Sequence, residues 1–327
     1  MKNKLLLVIL TALTLLSFPK VNFGQTAPRL GTTSGFALFT GTGAAFTNVG
    51  DATSVTGDVG ANTGSHSAFP PGTLVGNTHW ADGVSATAAA DVLTAYSDLS
   101  AVGCGTALGT PFGSGTTLTP GVYCTVGEAV LNGNLILDGG GDPDALFIFK
   151  INGALSTGLS SNVILTNSAS MCNVYWQVVG AFSLGDGSVF RGTVIASGAI
   201  SLLEGSSLLG RGLSTAGSID LHNNIVTLFP ETPGTITGTA AVCQGQTGVG
   251  FSVSAIANAT AYTWSLPAGA SIVAGAGTNS ITIDFSAIAV SGNIQVQGIN
   301  CAGTGTASPN YALTVNPLPL PSAIYHQ

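Results

Sequence analysis

Carboxylates in the repeated middle of the chain are the first place to look for catalysis, because lyases and hydrolases of polysaccharides act through carboxyl groups gathered on one strand face. Here the repeats offer Asp186, Glu204 and Asp220, two of them at expected turns, and Glu128 and Asp138 stand alone. An acid and base pair needs its carboxyls within about 10 Å of each other, and this scatter supplies no such cluster. Asp138, Asp142 and Asp144 lie beside Gly139, Gly140 and Gly141 and could offer oxygens to calcium, but an Asp-Pro turn feeding a strand accounts for them. His66, His79, His222 and His326 are dispersed, with no His-Glu-x-x-His helix and no cysteine pairs at zinc spacing. A nucleophile elbow, a phosphate loop and a dinucleotide fingerprint are also missing. These residues argue for a protein that is not an enzyme and uses no cofactor.

What does recur is a set of small side chains. Superimposing Gly153, Gly180, Gly198 and Gly217 aligns Gly-Ala-Leu-Ser, Gly-Ala-Phe-Ser, Gly-Ala-Ile-Ser and Gly-Ser-Ile-Asp, with Gly133-Asn-Leu-Ile as a weaker copy. The intervals of 20, 27, 18 and 19 residues suit one turn of a three-sided β-helix, with an insertion around 167–173 lengthening one coil. Side chains alternate along a strand, so Leu155, Phe182, Ile200 and Ile219 should stack inward. Ala154, Ser156, Ala181, Ser183, Ala199, Ser201, Ser218 and Asp220 should then form a small-residue row on the outside, and Thr56 and Asp58 are candidates to extend it.

The elements that hold this row follow from the same alternation. The strand before each repeat glycine is read with Phe149, Trp176, Val194 and Leu213 inside and Ile148, Tyr175 and Ile195 outside; the strand after it is read with Ile164, Phe190, Leu208 and Val226 outside. Large apolar groups facing outward need a cover. Residues 80–100 supply one, an Ala-rich helix carrying Val84, Ala88, Val92, Tyr96 and Leu99 on a single stripe and ending at Gly103. This helix falls between an early coil at 55–59 and the later coils, so the solenoid should be discontinuous, with 63–76 as a loop or cap over one end.

Composition sets the context. Charged residues make up 6% of the chain against about 25% in ordinary domains, while 45% are hydrophobic and 46 are glycine. Past residue 24, 14 acidic side chains face only Arg29, Lys150, Arg191 and Arg211, which excludes nucleic acid and anionic membrane as partners. Residues 1–24 read as a signal peptide: Lys2 and Lys4, an apolar run over 5–18, and small or polar residues around Gly24. That run is shorter than the roughly 20 residues that span a bilayer. Export to an oxidising compartment is therefore expected, and five cysteines suggest two disulfides and one free thiol. Cys104 with Cys124 is one candidate pair and Cys243 with Cys301 the other, leaving Cys172 as a buried small hydrophobe.

Several motifs occur together in one order: Gly57-Asp58-Val59-Gly60, Phe69-Pro70-Pro71-Gly72, Leu118 through Tyr123, Gly141 through Phe149, Cys172 through Gln177, and Gly192 through Ile195. Through them, residues from about 30 to 230 resemble the ice-binding proteins of bacteria and fungi. The resemblance implies a secreted protein with a discontinuous, right-handed, three-sided β-solenoid and one long flanking helix, which adsorbs to the ice crystal surface and inhibits growth and recrystallisation. It implies that one flat side of the solenoid is the binding face, and it places a cap-bracing disulfide where Cys104 and Cys124 lie. The face departs from the most active relatives in carrying Ala and Ser where they carry Thr. Val242 through Gln246, Tyr262 through Ser265 and Asn300 through Gly303 resemble PKD-like, immunoglobulin-type modules, with Trp264 in a sandwich core near a Cys243–Cys301 bridge.

The domain plan is then a signal peptide at 1–24, a solenoid at 25–232, a small β-sandwich at 233–315, and a linker or truncated tail at 316–327. The second module also fits an adhesive or structural surface protein and leaves attachment to a cell surface open. Nothing in the sequence argues for an assembly larger than a monomer.

Overall fold

The computed structural model describes residues 25–318. The expected signal peptide and residues 319–327 of the expected tail lie outside the described residues. Strands from Phe36 to Thr227 pair in parallel and wind as coils of three strands. One coil shows the plan: Val174–Val178 on the first side, Phe182–Leu184 on the second, and the start of Val189–Ala196 on the third. The latter half of Val189–Ala196 returns to the first side, pairing Trp176 with Val194. Strand Ser207–Ser214 turns the same corner, with Gly210 at φ 139°. A Cβ on Gly210 would stand 2.0 Å from the Gly192 carbonyl oxygen, so only glycine fits the stacked corners.

The chain enters the solenoid near one end and finishes beside its own beginning. Phe36–Thr40, Phe46–Asn48 and Ser54–Thr56 stack on the last coil through Leu38 with Gly212, Phe46 with Ile219 and Ser54 with Ile225. A further coil follows at Asp58–Ala61, His66–Ser67 and Thr73–Val75, so much of the expected cap at 63–76 is itself solenoid. The end is closed by Trp80, which stacks on His66 and meets Phe46 edge-on.

From there the chain must reach the opposite end at Thr106–Ala107, the ninth strand of that stack and so eight spacings, about 38 Å at about 4.8 Å each, away. Helix α1 (Gly83–Ala101) covers about 28 Å of that path. Asp82 caps it, accepting a hydrogen bond from the Ser85 backbone N–H while the Ser85 hydroxyl engages the Asp82 backbone. Its stripe of Ala88, Val92, Ala95 and Leu99 buries Phe39, Val122, Ile148, Tyr175, Ile195 and Leu213 on the first side, with Tyr96 packed at its margin. Val84 is 39% exposed, because the first turn is spent on the cap. An N-terminal strap holds α1 down: Arg29 makes a paired contact with Asp98, and the Thr32 N–H donates to Asp91.

Two rows differ from the alternation reading. Phe190, Leu208 and Val226 point inward, in file with Leu135 and Val163, and are essentially inaccessible. Turning Phe190 outward would drive its neighbour Arg191 into the core at far greater cost. Ile164 does face out, paired across to Ile136. Leu213 also faces out, in register with Ile195 beneath α1. The inner place there belongs to Gly212, against which the Leu38 side chain packs: a Cβ on Gly212 would come within 3.0 Å of it.

Beyond Thr227 the strands become mainly antiparallel and form two small sheets around Val242, Phe251, Ile283, Phe285, Ile294 and Val296. Trp264 lies at the margin of this core, its indole N–H donating to the Thr278 carbonyl.

Candidate functional site

The second side is an eight-stranded parallel sheet running from His66–Ser67 to Phe112–Gly113. Its register brings the repeat residues into straight files. Ser156 aligns with Ser183, Ser183 with Ser201, Ser201 with Asp220, Asp220 with Thr47, and Thr47 with Ser67. Six rungs therefore span about 24 Å. The neighbouring file, about 7 Å away along the strands, holds Ala154, Ala181, Ala199, Ser218 and Ala45. It is fixed by backbone bonds such as Leu155 N to Ala181 O (2.9 Å) and Phe182 N to Ala199 O (2.8 Å).

The repeat glycines border these files because coils approach most closely there. A Cβ on Gly217 would lie 2.0 Å from the Gly198 carbonyl carbon. At Gly153, Gly180, Gly198 and Gly217 a Cβ would come within 3.0 Å of the next coil's backbone, so the column stays low along those rungs. Leu155, Phe182, Ile200 and Ile219 beneath it are fully buried, which keeps the outer side chains in register.

Electrostatically the plane is quiet. The four basic residues of the described chain lie elsewhere: Arg29 on the strap, Lys150 and Arg211 on the first side, Arg191 on the third. Asp220 is the one carboxylate within the six rungs, and its two oxygens accept from the Thr47 hydroxyl (2.6 Å) and the Ser218 hydroxyl (2.9 Å). Glu128 stands at the far end of the alanine file, next to Val130 in the serine file.

Eight of the ten residues expected on this face are on it. Thr56 and Asp58 are not, which corrects that expectation. Thr56 pairs with Thr227 and Val75 on the third side, and Asp58 pairs with Phe36 on the first, where its carboxylate accepts from Asn77. The true extension is Ala45, Thr47, Ser65 and Ser67. Its signal was present as Ala44-Ala45-Phe46-Thr47, a copy of the repeat with Ala in place of the leading Gly.

The remaining candidate chemistry is dispersed. Asp186 and Glu204 are exposed at the corner between second and third sides, and Glu204 accepts from Asn223. Asp138 accepts from the Gly140 N–H and the Asn167 amide, which hold its carboxyl below the usual range, and Asp142 accepts from the Asp144 N–H. Among the described residues no three His, Cys, Asp or Glu side chains are grouped to hold a metal ion.

The cysteines pair differently from expectation at one bond. Cys104–Cys124 forms, bracing the coil at the end where α1 delivers the chain. The second bond is Cys172–Cys301, and Cys243 is free and exposed. Cys301 lies at the tip of the hairpin between Gly292–Asn300 and Gly303–Thr304, which reaches the solenoid, whereas Cys243 pairs with Asn316 at the opposite end of the sandwich. Cys172 sits in the 167–173 insertion, whose role is thereby explained.

Fold and face together define a discontinuous, three-sided β-solenoid with one bare plane of small side chains and a sandwich appended. Residues 40–227 match the family model described as ice-binding-like, and 229–313 match a PKD-like domain. The chain belongs to the ice-binding-like family. It is 35% identical over 227 residues to an ice-binding protein of Nostoc sp. (strain HG1), covering 68% of this chain and 82% of that one. Among solved structures it is similar to an ice-binding protein from an Antarctic biological consortium, at 36% identity and TM-score 0.59, covering 62% of this chain and 91% of that one. It is also similar to one from the Antarctic ascomycete Antarctomyces psychrotrophicus, at 35% identity and TM-score 0.59, covering 62% and 98%.

Proposed function

We propose that this is a secreted protein that adsorbs to ice through the second side of its solenoid and thereby restrains ice growth and recrystallisation, without catalysis or a cofactor. The observation that carries the reading is the six-rung register of Ala, Ser and Thr side chains free of cations. Rungs repeating at about 4.8 Å set hydroxyls and methyls at a fixed period, so an ordered layer of water can continue an ice lattice across the face. Short side chains lose little rotamer freedom on contact. The internal hydrogen bonds to Asp220 keep its carboxylate from organising a hydration shell of its own. Export is supported by the composition of residues 1–24 and by two disulfides.

The test is a recrystallisation assay on polycrystalline ice. Grains should stay fine in the presence of the protein, and coarsening at the rate of buffer at every concentration would overturn the proposal.

A further inference from the structure

The sandwich does more than follow the solenoid on a tether. Where the chain crosses over, the Asn300 amide donates to the Leu228 carbonyl (3.0 Å), the Glu231 N–H donates to Ala257 O, and Phe229 and Ala302 pack against the solenoid core. Pro230 nests against Gly298, where a Cβ would come within 2.7 Å of its ring. Yet this seam is poorly filled. A cleft of about 700 Å³ runs between Asp144, Ser170 and Asn173 on one side and Thr260 and Asn300 on the other. A second, of about 320 Å³, separates Arg191 and Leu209 from Asn258 and Thr260, and the Asn258 amide nitrogen is buried there without a partner. Packing this open gives a domain interface little rigidity of its own.

The Cys172–Cys301 bond crosses the seam and closes a loop of 129 residues. Cys172 belongs to the turn Met171–Asn173, between the third-side strand Asn162–Thr166 and the first-side strand Val174–Val178. In a three-sided cross-section the corner between the first and third sides is the one opposite the second. The bond therefore fastens the sandwich at the corner farthest from the bare plane. The far end of the sandwich, opposite the Cys301 tip, holds Cys243 and Asn316.

We infer that Cys172–Cys301 is a covalent latch that fixes the sandwich on the corner opposite the flat face and holds the two domains at a set angle. The latch is independent of what the face binds. Nitroxide labels on native Cys243 and on Leu93→Cys, at an exposed position of α1, report the distance between domains by double electron–electron resonance. The chain with its latch should give one narrow distance distribution. The Cys172→Ser, Cys301→Ser pair should give a distribution at least twice as wide, with an unchanged circular dichroism spectrum. An equally narrow distribution in the serine pair, or a broad one with the latch intact, would overturn the inference. Non-reducing peptide mapping of the unmutated protein tests it without any variant: a linked Cys172 and Cys301 peptide is expected, and Cys301 linked to Cys243 instead would overturn it.

Discussion

Ala199→Tyr places a phenol ring in the middle of the alanine file, three rungs from one end of the face and two from the other. The ring stands about 6 Å above a surface whose neighbouring side chains lie about 4.8 Å away along the file and about 7 Å across it. It props ice away from its own rung and one on each side, half of the six. A contact about 24 Å long and about 10 Å wide covers about 240 Å², which at about 25 cal/mol per Å² corresponds to about 6 kcal/mol of adsorption free energy. Losing half of it, about 3 kcal/mol, weakens adsorption by roughly two orders of magnitude. The fold should not notice: the side chain projects into solvent, so stability should change by less than about 0.5 kcal/mol. Ice-affinity partitioning and recrystallisation inhibition read the loss, and thermal unfolding checks the fold. Ser201→Tyr should behave alike, and full activity in both variants would refute the assignment of the face.

Three further outcomes follow from the same structure. Threonine at Ser156, Ser183 and Ser201 together adds methyl groups beside existing hydroxyls in the file that already contains Thr47, and recrystallisation inhibition should strengthen; weaker inhibition would mean that the small size of serine matters more than added apolar contact. Gly217→Ala forces a Cβ to 2.0 Å from the Gly198 carbonyl carbon, so denaturant unfolding should show a loss of more than about 2 kcal/mol. Acid should loosen the helix and its strap: Asp82 is held at about 2 by the Ser85 N–H and His79, and Asp98 at about 2 by Arg29. Both are lowered on folding from the ordinary 3.8, so the stability they lend is complete above about pH 4 and is lost as pH falls toward 2. The Asp82 carboxylate is exposed and that of Asp98 half-buried, so salt should shrink this dependence, as a melting series at two ionic strengths would read.

The repeat makes the face legible in the sequence. Gly-Ala-Phe-Ser and its copies encode a column of glycine at most rungs, two outward small residues and one inward apolar residue, and each requirement is local. The helix was legible for a similar reason, since Ala88, Val92 and Leu99 share a stripe whatever they cover. Inner and outer positions beyond a corner were not. A turn such as Gly185–Ser188 has no fixed parity, so the inward direction of Phe190 is decided by where Arg191 can go. The N-terminal part of the face was hidden by Ala44 in the glycine position and by a stacking order in which strand Phe46–Asn48 lies beside strand Ile219–Leu221, over 170 residues later. The Cys172–Cys301 bond was hidden because it depends on how two domains dock, and neither cysteine's neighbours in sequence record that contact.

The most direct test uses the exposed thiol of Cys243, at the far end of the sandwich, to carry a fluorophore while the chain is exposed to a growing single ice crystal. Labelled protein should accumulate on particular crystal planes and remain there when the surrounding solution is exchanged, and the Ala199→Tyr form should not. Folded, labelled protein swept ahead of the ice front and excluded from every plane would contradict the account at its centre.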